Sequence, residues 1–220
     1  CEEAIRTGLD ELEIDINNTD LYLTHLHSDH VGLAATIMPK DATIYMGRVD
    51  YEYLMTSVTG SHWDDTDKVF LSHGFPEDKI IELHTKNPAR AFQVAGPFEA
   101  VKLEDGDKIT VGDYEFKCIY VPGHTPGNTC LYYEKDALMF LGDHVLFDIT
   151  PNITSWYGVR DSLSNYIESL KKIREYKMVT ALPAHRNTKG INVYDRIDQL
   201  LEHHKARLAD TEKVVKAVPG

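Results

Sequence analysis

Positive charge is scarce in this chain. Its 220 residues carry 23 Lys and Arg against 35 Asp and Glu, a net charge of −12. A surface of that sign repels phosphate backbones and anionic lipid, which argues against nonspecific nucleic-acid binding. Cysteine is scarce too. Cys1, Cys118 and Cys130 are too few and too scattered for a disulfide framework, and none has metal-ligand spacing. A reducing, cytoplasmic setting is the expectation that follows. There is no run of 18 apolar residues, so no transmembrane helix is expected. No signal peptide is visible. The chain opens on Cys1 rather than Met, and its natural start is expected to lie upstream. Short repeats, low-complexity segments and linkers are also missing. What remains is 42% apolar and 26% charged, the composition of an ordinary globular domain.

Hydrophobic periodicity changes along the chain. Ile5, Leu9 and Leu12 predict a short amphipathic helix over 2–12. The run 20–24 reads as a strand, 30–38 as a helix and 42–46 as a second strand, with a helix starting near 50. Residues 58–75 carry few periodic cues and read as a functional loop or a helix-loop insertion. A Pro and an acidic first turn start a helix at 76–83. Strands then cluster at 98–103, 108–111, 114–121, 129–134 and 137–142, between turn signals. A helix over 161–176 is capped by Asp161 or Ser162 and buries Leu163, Ile167, Leu170 and Ile173. A strand at 178–185 and a final helix near 190–216 complete the chain. Alternation of this kind suits an α/β arrangement of sheets covered by helices.

The strongest chemical signal is THLHSDH at 24–30. It places His25, His27, Asp29 and His30 within six positions. Three imidazoles this close repel one another when protonated, and a divalent cation holds them deprotonated. His25 and His27 project to one side of an extended backbone, whereas Asp29 and His30 lie past the bend. That geometry predicts two metals. Three further residues follow apolar strands: His124 in PGHTPG, Asp143 in LGDH and His185 in LPAH. Loops at strand ends are where functional side chains gather on rigid scaffolds. The seven divide into His25, His27 and His124 for one metal, Asp29, His30 and His185 for the other, and Asp143 as the bridge. Mixed His and carboxylate ligands without thiolate suit two Zn²⁺, with Mn²⁺ or Fe as alternatives. Asp29 and Asp143 are the expected catalytic carboxylates, orienting a shared hydroxide. The remaining histidines read otherwise. His62, His73, His84, His203 and His204 are expected at the surface. His144 is expected either to support Asp143 or simply to pack. Cys118 reads as core, and Cys130 is expected in a strand.

In that order the motifs HxHxDH, PGHTPG, GDH and PAH resemble those of the metallo-β-lactamase superfamily, over residues 20 to about 186. The resemblance implies an αββα sandwich with the metals at one edge between the sheets. It also implies that the opening β-hairpin of the fold is absent from this chain. The domain is then expected over 1–189. The helix over 190–220 would be the start of a C-terminal extension. Asp143 points to the hydrolase branch of that family rather than to true zinc β-lactamases, and His27 argues against the flavodiiron oxidases.

The expected activity is hydrolysis of a small acyl ester, thioester or lactone. The alternative is a phosphodiesterase or endoribonuclease using the same centre. A small-molecule substrate is the expected partner, with nucleic acid and membrane disfavoured. Trp63, Phe147, Trp156 and Tyr157 are expected to line the substrate pocket, with Phe75 and Ile149 as further candidates. Arg160 or Arg186 could hold an anionic group, though surface placement suits both.

Overall fold

The computed structural model describes residues 1–60, 62–86 and 91–217, without the side chains of residues 62 and 83–85. The surface positions expected of His62 and His84 therefore lie outside the described side chains.

Helix α1 (Glu2–Glu11) precedes strand β1 (Leu21–Leu23), and short helices α2 (Ser28–Val31) and α3 (Ala34–Ile37) follow. Strand β2 (Ile44–Gly47) leads into α4 (Arg48–Thr59), α5 (His62–Ser72) and α6 (Glu77–Lys86). Strands β3 (Val101–Leu103), β4 (Lys108–Val111), β5 (Tyr114–Tyr120), β6 (Thr129–Tyr133) and β7 (Leu138–Gly142) come next. Helix α7 (Ser162–Arg174), strand β8 (Thr180–Pro183) and helix α8 (Val193–Ala217) close the described chain. One sheet has the order β1-β2-β3, all parallel, and the other β4-β5-β6-β7-β8. The second is antiparallel except for its β7–β8 pair.

The alternation of side chains along the strands builds four layers. Leu23, Ile44 and Met46 face helices α2 to α4 and pack with Val31, Ala34, Tyr51 and Leu54. Tyr22 and Tyr45, the residues between them, turn the other way. They meet Leu103, Ile109, Cys118 and Leu131, and so form the layer between the two sheets. Across it the Tyr22 hydroxyl donates to Thr129 Oγ1 at 2.8 Å. On the far face, Ile119, Cys130, Tyr132, Met139 and Leu141 pack against Tyr166, Leu170 and Ile173 of α7 and Val193, Ile197 and Leu200 of α8. Each fully buried aliphatic side chain there contributes about 1.5–3 kcal/mol. Cys118 is a core residue, as its alternation predicts, and Cys130, in a strand as expected, is buried too.

Two expectations change. The helix expected over 30–38 is broken into α2 and α3, with Gly32 and Leu33 between them. Of the two readings of 58–75 the helix-loop insertion holds: the stretch is largely helix α5, whose run of Asp64, Asp65 and Asp67 hides the apolar stripe of Trp63, Val69 and Phe70. His204 is not at the surface. Its ring is buried 5.4 Å from Tyr166, whereas its neighbour His203 is exposed. Helix α7 is capped as expected, with Asp161 accepting from the Ser164 amide at 2.8 Å. Among the described residues no helix is long and apolar enough to cross a membrane.

Candidate metal centre

Loops at the ends of β1, β5, β7 and β8 converge on one point. They bring His25, His27, Asp29, His30, His124, Asp143 and His185 together. The donor atoms form three overlapping groups, each within 4.8 Å: His25, His27 and His124; His25, His30 and Asp143; and Asp29, His30 and His185. Asp143 stands at the middle. Its Oδ2 lies 3.6 Å from His124 Nε2 and 3.9 Å from His25 Nε2. Its Oδ1 lies 3.3 Å from His185 Nε2 and 3.5 Å from His30 Nε2. Asp29 Oδ2 closes the second group, 3.2 Å from His185 Nε2 and 3.6 Å from His30 Nε2.

This donor set fits divalent cations. Among the described residues, the buried atoms His25 Nε2, His124 Nε2 and Asp143 Oδ1 find no hydrogen-bond partner. Buried polar atoms are rarely left so. Protons do not fill the role. Burial, and then the neighbouring His30, holds the His25 imidazole well below its usual pKa. Burial and His124 lower His27 to about 4, and burial lowers His124. Burial alone would raise Asp143, but the His30, His124 and His185 imidazoles outweigh it and hold the carboxyl below its usual range. The neutral imidazoles of His25, His27 and His124 beside the Asp143 carboxylate form a lone-pair-rich pocket. The His124 tautomer is fixed as well. Its Nδ1–H donates to the Asn152 carbonyl at 2.7 Å, which leaves the Nε2 lone pair facing the centre.

No local motif marks the residue that ties these loops together. Asp50 is fully buried in the first turn of α4. Its Oδ2 accepts from the Leu26 amide at 2.9 Å and from Thr125 Oγ1 at 2.6 Å, and its Oδ1 accepts from the Gly127 amide. One carboxyl group thus fastens the HxH loop to the PGHTPG loop. Burial pushes it up to about 7, against the pull of these hydrogen bonds. Gly127 is required by this approach, since a Cβ there would lie 2.2 Å from the Asp50 nitrogen. Gly123 is required on the other side of His124. It has φ +142°, and its Cβ would meet Tyr166 Cα at 2.4 Å. In sequence, Asp50 looks like any acid at a helix start.

The expected pocket residues divide. Trp63, Trp156 and Tyr157 line a cavity beside His27. Phe147 does not. It lies in the core with Val145 and Tyr166, because the chain after Asp143 turns inward beneath α7 and α8. Phe75 packs on Phe70 outside the residues that line the cavity, and Ile149 is not among them either. Arg160 and Arg186 are exposed. His144 packs, fully buried, with its ring 5.3 Å from Tyr166, and burial lowers it to about 3.

Comparison with known proteins agrees with this geometry. A family model described as the metallo-beta-lactamase superfamily matches residues 19–185. A hydroxyacylglutathione hydrolase from Maricaulis maris is 28% identical over 143 residues, 60% of this chain and 54% of the relative. An acyl-coenzyme A thioesterase from Bos taurus is 28% identical over 130 residues, 57% of this chain and 44% of the relative. The chain spans about half the length of the curated relatives it matches. The crystal structure of a metallo-beta-lactamase family protein from Thermus thermophilus shares the fold. It has a TM-score of 0.75 and 24% identity, over 95% of this chain and 68% of that one. The matched segment runs from just before β1 to His185, the last of the seven clustered side chains, and the chain belongs to the metallo-beta-lactamase superfamily.

Proposed function

We propose that this protein is a dinuclear metal-dependent hydrolase of a small acyl ester, thioester or lactone. The observation that carries this reading is the position of Asp143, whose two oxygens face two different imidazole clusters at 3.3–3.9 Å. In this reading His25, His27 and His124 would hold one cation, Asp29, His30 and His185 would hold the other, and Asp143 would serve both. The nitrogen and oxygen donors suit Zn²⁺, with Mn²⁺ and Fe as alternatives. Such cations supply Lewis-acid activation of water and of the scissile carbonyl.

The chain's own residues do the rest. The lowered pKa values of His25, His27 and His124 keep their lone pairs free of protons at neutral pH. The Asn152 carbonyl holds the His124 ring in register. Asp29 and Asp143 are the catalytic carboxylates. Each accepts a hydrogen bond from the attacking water and so fixes its orientation toward the carbonyl. Asp29 is the more exposed of the two and stands on the open side of the centre. Relatives named as a hydroxyacylglutathione hydrolase and an acyl-coenzyme A thioesterase support an acyl substrate.

The test is elemental analysis of the purified protein together with turnover of a panel of thioesters, esters and lactones. Close to two metal equivalents with acyl hydrolysis is the expected result. Two equivalents with cleavage of phosphodiesters alone would reject the acyl reading.

A further inference from the structure

A cavity of about 310 Å³ opens beside the metal centre. Its walls come from the Leu26–Ser28 loop with Val31 of α2, the helices α4 and α5, Gln93, and the segment 152–157. Leu54, Trp63, Val69 and Phe70 supply apolar surface together with Leu26 and Val31, and most of the polar lining is neutral hydroxyl and amide. No Lys, Arg, Asp or Glu is among the described residues that line it. His27 is shared between the cavity and the His25–His27–His124 group.

Trp156 fixes the boundary between the two. Its ring stacks on His27 with centroids 5.9 Å apart and an interplanar angle of 29°. Its indole N–H donates to the His124 carbonyl at 3.3 Å. The Tyr53 ring meets it edge-on at 6.0 Å. A group seated in the cavity therefore lies against Trp156, and the atom next to it faces His27 and His124.

We infer that this cavity is the acyl subsite and that it takes a neutral, apolar acyl group, a medium-length alkyl chain or an aryl ring, while any charged part of the substrate stays outside. This rests on the hydrolase reading above. The volume is at the small end of ligand sites, which suits one acyl group rather than a whole cofactor-sized thiol. Among the described lining residues no Lys or Arg meets a terminal carboxylate or a phosphate, and desolvation of a charge unpaired by them disfavours its entry. Each added methylene gains the transfer free energy of one buried CH₂ until the cavity is full.

Two measurements test the inference. The first is kcat/KM along a series of N-acetylcysteamine thioesters from acetyl to octanoyl, with glutaryl as the charged member. About a fourfold rise per methylene is expected until the cavity fills. Glutaryl is expected to run at least tenfold below pentanoyl. Val69→Phe occupies part of the cavity and should cut the octanoyl-to-acetyl ratio more than tenfold. The second measurement is independent of turnover. Trp63 and Trp156 are the chain's two tryptophans, and both line the cavity. Octanamide should change their emission saturably and glutaramate should not.

The outcomes separate the two readings. A flat series, or a preference for glutaryl, overturns the acyl subsite and leaves the hydrolase standing. No turnover of this series or of the ester and lactone panel, with saturable octanamide binding that Val69→Phe weakens, keeps the apolar site and overturns the hydrolase. No turnover and no change in emission overturns both.

Discussion

The two halves of the centre are built differently. His25 and His124 are almost wholly buried, on loops that Asp50 and Asn152 clamp from behind. Asp29 and His185, on the other half, have side chains 58% and 37% exposed. They sit on a single-turn helix and on the loop after β8. The buried half is preorganised by hydrogen bonds to Asp50 and Asn152. The open half is held mainly by its own members. If the proposed hydrolase reading holds, the buried half would fix position and the accessible half would meet substrate. Asp143, 10% exposed at its side chain, belongs to both.

Removing Asp143 should break this comparison altogether. Asp143→Ala is expected to lower kcat/KM by about a thousandfold or more, the loss of several kcal/mol of charge stabilisation. Metal content should fall in both halves. Retention of two equivalents would show that Asp143 does not serve both clusters. The next effect in size should expose the asymmetry. His185→Ala is expected to lose about one equivalent and at least about a hundredfold in activity, and to leave the fold intact. His124→Ala should lose metal too, but it also empties a buried site packed between Trp156 and Asn152. In metal-free protein its melting temperature should fall where that of His185→Ala does not. Equal melting temperatures for the two variants would remove the distinction between the halves.

Asp50 sharpens the comparison from outside the centre. Asp50→Ala leaves three donors, the amides of Leu26 and Gly127 and the Thr125 hydroxyl, without their acceptor. A loss of about 3 kcal/mol in stability follows from the cost of unsatisfied buried groups. Metal affinity should weaken about 10–100-fold at the buried half and much less at the open half, as for other supports behind a ligand. Titration of each variant with metal, followed by melting, measures both. Equal weakening at the two halves would mean that Asp50 supports the whole fold rather than this loop pair.

How legible each of these residues is in the sequence follows from the range of the interaction that places it. The seven clustered side chains stand in short motifs after apolar strands, so their convergence can be read from local pattern. The same holds for Cys118, whose face follows from strand alternation, whereas β6 around Cys130 is buried on both faces. Asp50 cannot be read in this way. Nothing within ten residues marks it, and its partners lie 24, 75 and 77 positions away. Phe147 and His204 depart from expectation for a related reason. Which side of a turn or long helix is buried depends on how α7 and α8 settle on the second sheet, and the local pattern near these residues is neutral. Trp63 and Trp156 line the cavity, but size alone does not single them out, since Phe147 is as large a group beside a motif loop and packs in the core.

The smallest expected effect concerns pH, and it sets the buried imidazoles against the carboxyl that clamps their loops. In metal-free protein, His27 titrates near 4 when folded, against an ordinary His value of 6.5 in the unfolded chain. Between these values the unfolded chain binds more protons, so acid favours unfolding and stability rises as pH goes from about 4 to 6.5. His25 and His124 shift in the same direction. Asp50 opposes them. Its folded value is about 7 against 3.8 unfolded, so the folded chain binds the extra proton and stability falls across the same window as pH rises. The imidazoles outnumber the one carboxyl, and the net slope should be positive. Asp50→Asn removes the opposing contribution. Melting temperature against pH should therefore rise more steeply in that variant than in the parent, even though the variant is less stable at every pH. Parallel curves would mean that Asp50 is ionised throughout, held so by its three donors rather than neutralised by burial.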